Sequence, residues 1–319
     1  LKVLRAAFPP APADDVRALA ASVKDAIWAH LTLPGASHVA PSDKPLQLRM
    51  HDAALLLSRT EESWQKAQEQ IERARAANPD DPALAIMQGL GLYAGLIHRF
   101  HTPEQTQAVE DEIERLVLDS LPTIQDNPLL VLAAAKLLFF IGRGHFELAN
   151  RLADEAFEKS TAFAAAFATR AQMRMAEGAF AEAHVLYDKA IELSEHGSEF
   201  FVYLKVLKCT AALAADDRAL ADALAAELYA LNPLIRMKIG LFLASPDADQ
   251  LAPDLEAVLT SFGEARIADV VSFLFNASAR HFHAPEHRQN IMRGFLKQVR
   301  RRFGDDAVPR DVLAGIAAS

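Results

Sequence analysis

The chain has 319 residues, of which 51% are hydrophobic, and a formal net charge of −9. This length is ample for a large core or a long array of packed helices. The negative charge makes the whole molecule a poor electrostatic match for nucleic acid, so we expect no direct nucleic-acid binding. Cys209 is the only cysteine, which excludes an internal disulfide and a cysteine-based zinc site and fits a reducing, cytoplasmic location.

The sequence predicts neither a membrane span nor a secretory signal. Its most apolar run, Leu129–Ile141, is 13 residues long and contains Lys136, whereas a spanning helix needs about 20 residues. The chain begins with Leu1 rather than methionine. We therefore expect either that residues were removed or that the chain is part of a longer polypeptide.

The N-terminal region, residues 1–45, is predicted to form one helix and a linker. Early prolines block a helix, Asp14 can cap one over Asp15–Leu31, and the following stretch to Pro45 is rich in proline, serine and glycine. A helical array is expected over residues 46–244, and a less regular helical cap over residues 245–319.

Apolar spacing and turn residues predict further helices on both sides of the centre, whereas strand signals are scarce. The earlier ones are Leu46–Ser58, Thr60–Ala77, Ala83–Arg99 and a helix from Thr102 to about Leu121, followed by a turn at Pro122–Pro128. The later ones are Glu199–Ala214 capped by Ser198, a partner that starts at Asp216-Asp217 and ends at Pro233, the short Leu234–Ala244, Leu251–Ser261, Glu264–Ala279, Pro285–Phe303 and Pro309–Ser319.

The central residues 127–195 nearly repeat themselves. Four positions recur with a spacing of 34 residues: Gly144 and Gly178, Phe146 and Phe180, Ala149 and Ala183, Ala156 and Ala190. A fixed period of this length is typical of stacked helical hairpins. Each unit predicts a first helix (Leu129–Ile141, then Phe163–Met175), a glycine turn with positive φ, and a second helix that starts at the phenylalanine.

The best unit has a small residue, a glycine, an aromatic residue, an alanine, a second aromatic residue and a second alanine. These are Ala171, Gly178, Phe180, Ala183, Tyr187 and Ala190. This order resembles the tetratricopeptide repeat (TPR), which the unit before it and the stretches Leu46–Ala94 and Ser198–Pro233 also match in part. The resemblance implies an all-α fold, an α-solenoid of TPR-like hairpins with a helical C-terminal cap. An irregular helical bundle is the alternative.

Leu129–Ile141 is predicted to be covered on all sides. The family's phasing places Val131, Ala134, Leu138 and Ile141 on the groove, and the packing side is apolar as well. A helix that is apolar all round is normally buried all round. The cover is expected to be a neighbouring helix, the tail after Ser245, a second copy of the chain or an apolar ligand.

Several polar residues are candidates for binding: Arg170, Gln172, Arg174, Tyr203 and Lys205, together with the groove residue Leu138. Arg170 and Arg174 are one helical turn apart, so they can hold a carboxylate or phosphate. They can equally pair with Glu147, Glu155 or Glu158 of the preceding hairpin, which is the interpretation we favour.

Three histidines, His281, His283 and His287, have the residue type of a transition-metal site. Pro285 lies between the last two and should start a helix there, so we expect turn and helix-start histidines and no metal. The basic run Lys297–Arg302 is predicted to be a solvated face. Cys209 lies in an apolar helix and is predicted to be a core residue.

The sequence contains no Gly-rich phosphate loop, His-Glu-x-x-His or Gly-x-Ser-x-Gly motif. We therefore expect a non-enzymatic protein-interaction or ligand-sensing module that needs no cofactor. Its expected partners are a protein or peptide, or a second copy of the chain through apolar helix surfaces.

A wider resemblance comes from Leu48–Pro82, with its turn at Arg59-Thr60-Glu61-Glu62. This stretch is similar to the C-terminal half of bacterial signalling proteins in which a winged-helix DNA-binding domain or a nucleotide cyclase domain precedes a TPR array. The resemblance implies the regulatory part of a transcriptional regulator. The alternative is a free-standing TPR scaffold, such as a co-chaperone or a secretion accessory protein.

Overall fold

A computed structural model of the chain describes residues 61–98, 101–160 and 163–317. These residues are divided between two compact units that meet at Asp81 and Pro82 in the sequence. The helices predicted at Asp15–Leu31 and Leu46–Ser58 lie outside the described residues, as does the linker between them. All regular structure in the described ranges is helical.

The described part of the first unit is helix α1 (Glu61–Ala77), which covers the helix predicted from Thr60 to Ala77. In the second unit the helices are α2 (Pro82–His98), α3 (Pro103–Ile124), α4 (Pro128–Ile141), α5 (Phe146–Glu158), α6 (Ala164–Ala176), α7 (Phe180–Glu192), α8 (Glu199–Ala214), α9 (Arg218–Leu231), α10 (Leu234–Ile239), α11 (Pro253–Ser261), α12 (Glu264–His281), α13 (Pro285–Phe303) and α14 (Arg310–Ala317).

Helices α2 to α9 pack as four hairpins, each formed by two consecutive helices. The first helices α2, α4, α6 and α8 also pack on one another in succession, and α3, α5 and α7 each contact the first helix of the next hairpin. One hairpin cannot bury both of its apolar faces, so each relies on its neighbours. The predicted all-α arrangement of repeated hairpins is confirmed.

Small side chains allow the paired helices to approach closely. Ala183, Tyr187 and Ala190 are fully buried on α7, as is Ala149 on α5. The Tyr187 hydroxyl lies 3.5 Å from the sulfur of Met175 on α6. Alanine at the contact positions and one large ring between them therefore fix the spacing of the hairpin.

The turn predicted at Pro122–Pro128 is wrong at its start, because α3 continues through Pro122 to Ile124. Proline has a helix-compatible φ, and here it removes a backbone hydrogen bond only near the end of the helix. Ile124 is 2% exposed. Burial of this side chain favours continuation of the helix for one more turn.

The C-terminal helices cover the first helices of the hairpins. Helix α12 packs on α2, α4 and α6, and α13 packs on α8. The groove positions of α4 are accordingly buried, with Leu138 at 0% exposure and Ile141 at 8%. The predicted cover of α4 is confirmed, and both the neighbouring helices and the tail after Ser245 contribute to it.

One position of the repeat carries a cation in three successive hairpins. Arg170 of α6 pairs with Asp154 of α5, and Lys208 of α8 pairs with Asp188 of α7. The two aspartates are 34 residues apart, as are Lys136 and Arg170. The same spacing places Ser120 where Lys136 would need an aspartate.

Lys136 is therefore a buried cation without its carboxylate. It is 8% exposed and makes no hydrogen bond or ion pair with any residue in the described ranges. Burial lowers the pKa of its ammonium group from 10.5 to about 8. A desolvated charge without a partner destabilises the folded state.

The turn glycines Gly144 and Gly178 both have a φ of 83°, as predicted. An added Cβ would meet nothing at Gly144 but would lie 2.6 Å from the His287 ring at Gly178. We expect Gly144→Ala to cost about 1 kcal/mol of unfolding free energy through backbone strain alone, and Gly178→Ala to cost more. Chemical denaturation of both variants measures the difference.

The excess cost at Gly178 should disappear in a His287→Ala background, because the clash partner is then absent. Equal costs at the two glycines, or an excess that survives in that background, would show that the tail does not dock on this turn.

Replacement of Lys136 by methionine should stabilise the protein below pH 8, because both the folded and the unfolded states of the parent are then protonated and only the folded state has a desolvated charge. The gain is at most about 3 kcal/mol. Above pH 8 the folded parent loses its proton, so the gain shrinks and vanishes near pH 10.5. Unfolding curves from pH 7 to 10.5 measure it, with the exposed Lys159→Met as control. A gain independent of pH contradicts this account.

Candidate functional site

A cavity of about 880 Å³ lies between the hairpins and the C-terminal helix α12. The ends of α2 and α4 and the start of α3 form one wall, with Phe140 and Glu110 among the lining residues. Residues Ser272 to Arg280 of α12 form the other wall. This volume is within the range of small-molecule sites.

Aromatic side chains form the apolar part of the cavity. Phe139 and Phe146 lie with their ring centroids 5.5 Å apart, and His283 is 5.0 Å from Phe139 and 4.9 Å from Phe146. Phe146 is 40% exposed, whereas Phe139 is 1% exposed. Both rings line the cavity, and Phe146 is the more accessible of the two.

The turn after α4 brings Arg143 to the cavity in an unusual backbone conformation. Gly142, Arg143 and Gly144 have φ values of 76°, 50° and 83°. A non-glycine residue in the left-handed region is strained, and such strain persists only where the surroundings fix it. Here the guanidinium binds the carboxylates of three α3 residues, which lie about one hairpin earlier in the chain: Glu110, Asp111 and Glu114.

A second guanidinium, from the C-terminal tail, reaches one of these carboxylates. Arg280 of α12 lies 2.8 Å from Glu110, and both side chains are 17% exposed. Glu110 is also 3.4 Å from Arg143. One carboxylate therefore joins an arginine of the hairpins to an arginine of the tail.

The charges of this cluster compensate one another. The hydrogen bond from His145, followed by that from Arg143, lowers the pKa of Glu114. The hydrogen bond to Asp111 raises the pKa of Arg143. Three carboxylates thus face two guanidiniums, so most of the charge in the cluster is compensated within it.

Neutral polar side chains complete the lining. Thr106, Ser272 and Asn276 line the cavity, and their side chains make no hydrogen bond to any residue that the structure describes.

Tyr93 lies next to the cavity lining. Its ring is 5.8 Å from that of Phe140, and its buried hydroxyl has no hydrogen-bond partner within the described residues. Burial raises the pKa of Tyr93 far above its usual range, so the hydroxyl stays protonated.

The three tail histidines lie on different aromatic neighbours. His281 packs on Phe140, His283 on Phe139 and Phe146, and His287 on Phe180. Within residues 61–98, 101–160 and 163–317, no three metal-ligating side chains are placed to hold an ion. The histidines join the tail to the hairpins, and the backbone N–H of His283 donates to the Ala176 carbonyl at 3.1 Å.

Arg170 and Arg174 are engaged in ion pairs, as favoured from the sequence, but their partners differ from the predicted ones. Arg170 binds Asp154 and donates to Asn150, and Arg174 binds Glu177 and Glu182. Glu147, Glu155 and Glu158 take no part in these pairs. The partners are set by the angle between α5 and α6, which the sequence spacing does not specify.

The other predicted binding residues also lie away from the cavity lining. Gln172 donates to the Tyr203 hydroxyl at 2.7 Å, and Lys205 lies 2.7 Å from Glu227 and over the ring of Phe201. Leu138 is fully buried. Polar residues of the first helices therefore pair with neighbouring helices in this state.

The remaining candidates have structural surroundings. The basic run on α13 makes surface ion pairs with acidic residues of the cap, such as the pair of Lys297 with Asp249 at 3.6 Å. Cys209 is 1% exposed, and burial raises the pKa of its thiol to about 12. A thiol in this state is a core residue rather than a nucleophile.

Ile141 and His283 line the cavity and were singled out from the sequence. The polar residues of α3, α12 and the turn after α4 were missed, although two features of the sequence point to some of them. Gly142-Arg143-Gly144 places an arginine between two glycines at the end of an apolar helix, and α3 carries a run of acidic residues from Glu110 to Glu114. Neither signal identifies Arg280 or Asn276. These come from α12, more than 130 residues later in the chain than Arg143.

Comparison with protein-family models, with curated proteins and with solved structures found no match to this chain. Among the described helices, none combines the length and the apolar character needed to cross a membrane. Function is therefore inferred from the cavity and the packing around it.

His287 should make the stability of the protein depend on pH. Burial lowers its pKa, and its side chain is 14% exposed. The folded state then binds fewer protons than the unfolded state, so this contribution is fully present above the unfolded pKa of about 6.5 and is lost as the pH falls. The expected result is a smaller loss of stability between pH 7 and 5 in His287→Gln than in the parent.

Denaturant unfolding at several pH values measures the slopes. The exposed His196→Gln should retain the parent slope. If the slope of His287→Gln equals that of the parent, docking of the tail on the hairpins does not desolvate the imidazole of His287.

Proposed function

We propose that this chain is a non-enzymatic ligand-sensing module in which a small molecule binds between the hairpins and the C-terminal helix. The observation that carries this proposal is the composition of the cavity walls. One wall belongs to α2, α3 and α4, and the other belongs to α12. A molecule bound there contacts the hairpins and the C-terminal helix at the same time.

The same arrangement argues against an extended peptide as the first ligand. Helix α12 lies on α2, α4 and α6, and the groove position Leu138 is fully buried. A peptide would have to displace the tail, whereas a small molecule can enter the open cavity. Ligand pockets of this kind commonly combine an apolar lining with a few polar groups.

Binding would be coupled to the position of the tail. A ligand that contacts both walls binds the docked state more tightly than an undocked state and shifts the population toward docking. The link between Glu110 and Arg280 and the contact of His283 with Phe146 would be strengthened together. The docked tail would then be the signal that a protein partner reads.

The wider role that we propose is the regulatory part of a bacterial transcriptional regulator, in keeping with the resemblance of Leu48–Pro82. A protein partner or an attached effector domain would respond to the docked tail. The module itself would neither turn over its ligand nor contact nucleic acid.

A thermal-shift screen tests the proposal on the full chain with a panel of sugars, amino acids, nucleosides, nucleotides and fatty acids. At least one compound should raise the melting temperature of the parent. Asn276→Trp fills the cavity from an exposed position of α12 and should abolish that shift. Ala265→Trp, at an exposed position of the same helix outside the cavity lining, should preserve it.

Hydrogen exchange then provides the second readout. A stabilising compound should slow exchange in α12 and α13 as well as at the end of α4. No shift with any compound, or a shift that persists in Asn276→Trp, would overturn the proposal.

A further inference from the structure

The hydrogen-bonding groups left available in the cavity are neutral. Arg143 and Arg280 are already bound to carboxylates of α3, with Arg280 at 2.8 Å from Glu110. Two hydroxyls and two primary amides have no partner among the described residues: those of Thr106, Ser272, Gln107 and Asn276. Recognition by hydrogen bonds therefore falls to uncharged groups that both donate and accept.

A charged ligand would disturb the compensated cluster. An anion near Arg143 would stand beside Glu110, Asp111 and Glu114, all of which bind that guanidinium. A cation would meet Arg143 and Arg280 beside Glu110, whose carboxylate both guanidiniums already bind. Either charge would also lose hydration on entry without gaining an unopposed partner.

Exposed aromatic surface is present on both walls. Phe146 contributes it from the start of α5 at 40% exposure, and Phe273 lines the cavity from α12. Stacking on an aromatic ring stabilises a flat ligand without requiring a charge. Asn276 lies three residues after Phe273, on the same side of α12.

From these observations we infer that the cavity takes a neutral heteroaromatic ring with an amide-like edge, which is the chemistry of a nucleobase. The ring stacks on Phe146 or Phe273, and the primary amide of Asn276 pairs with the donor and acceptor on its edge. The hydroxyls of Thr106 and Ser272 bind the remaining polar groups. This inference rests on the proposed ligand-sensing function and specifies its ligand class.

Calorimetry on the full chain tests the ligand class with adenosine, guanosine, cytidine and uridine, each beside its 5′-monophosphate. At least one nucleoside should bind with a dissociation constant below about 100 µM. Its monophosphate should bind at least about tenfold more weakly, because the phosphate adds charge beside a compensated cluster.

Two variants locate the contact. Asn276→Ala should weaken nucleoside binding about tenfold through loss of the paired amide. Gln289→Ala, at an exposed position of α13 outside the cavity lining, should leave it unchanged. Unchanged melting temperatures of both variants without nucleoside would show that the fold is intact.

Three results would overturn the inference: no nucleoside binds, a monophosphate binds as tightly as its nucleoside, or Asn276→Ala binds like the parent. If another compound of the thermal-shift panel still binds and is blocked by Asn276→Trp, the ligand class is wrong and the sensing function stands. If no compound binds at the cavity, the sensing function itself fails.

Discussion

Burial of α4 is the constraint on which the rest of the second unit depends. This helix is apolar on every side, and its residues from Leu130 to Ile141 are all buried. Hairpin partners can cover only part of such a surface, so the remainder requires another element. Helix α12 supplies it, with His281 and His283 packing on the phenylalanines at the end of α4. The tail is thus part of the hydrophobic core.

The same docking explains why a cavity exists where it does. Helix α4 ends at Ile141, which is one residue earlier in the 34-residue repeat than Ala176 at the end of α6. The chain then turns through Gly142-Arg143-Gly144. The turn directs Arg143 toward the acids of α3, and Arg280 of the tail binds one of them, Glu110. The cavity is lined both by this polar link and by the rings of Phe139, Phe140 and Phe146.

Successive hairpins share an ion pair at equivalent positions as well as their apolar contacts. The pair of Arg170 and Asp154 recurs as the pair of Lys208 and Asp188. Lys136 occupies the position of the cation in the hairpin of α4, but Ser120 occupies the position of the aspartate, so the ion pair is absent there. The hairpin of α4 thus departs from the repeat at this position, and it also carries the strained Arg143 and part of the cavity lining. Strained and unpaired groups are often found at functional sites, since the surrounding packing must offset their cost.

The sequence by itself determined the local structure: α8 and α13 have the predicted bounds Glu199–Ala214 and Pro285–Phe303, the turn glycines have positive φ, and α4 is covered. These features follow from capping residues, proline, glycine and apolar period, which act over a few residues. Only the tertiary structure decided that α3 continues past Pro122, that Arg170 pairs with Asp154, and that Arg143 and Arg280 share Glu110. These depend on distances between elements far apart in the chain, and such distances are set by how the helices pack rather than by their spacing in the sequence.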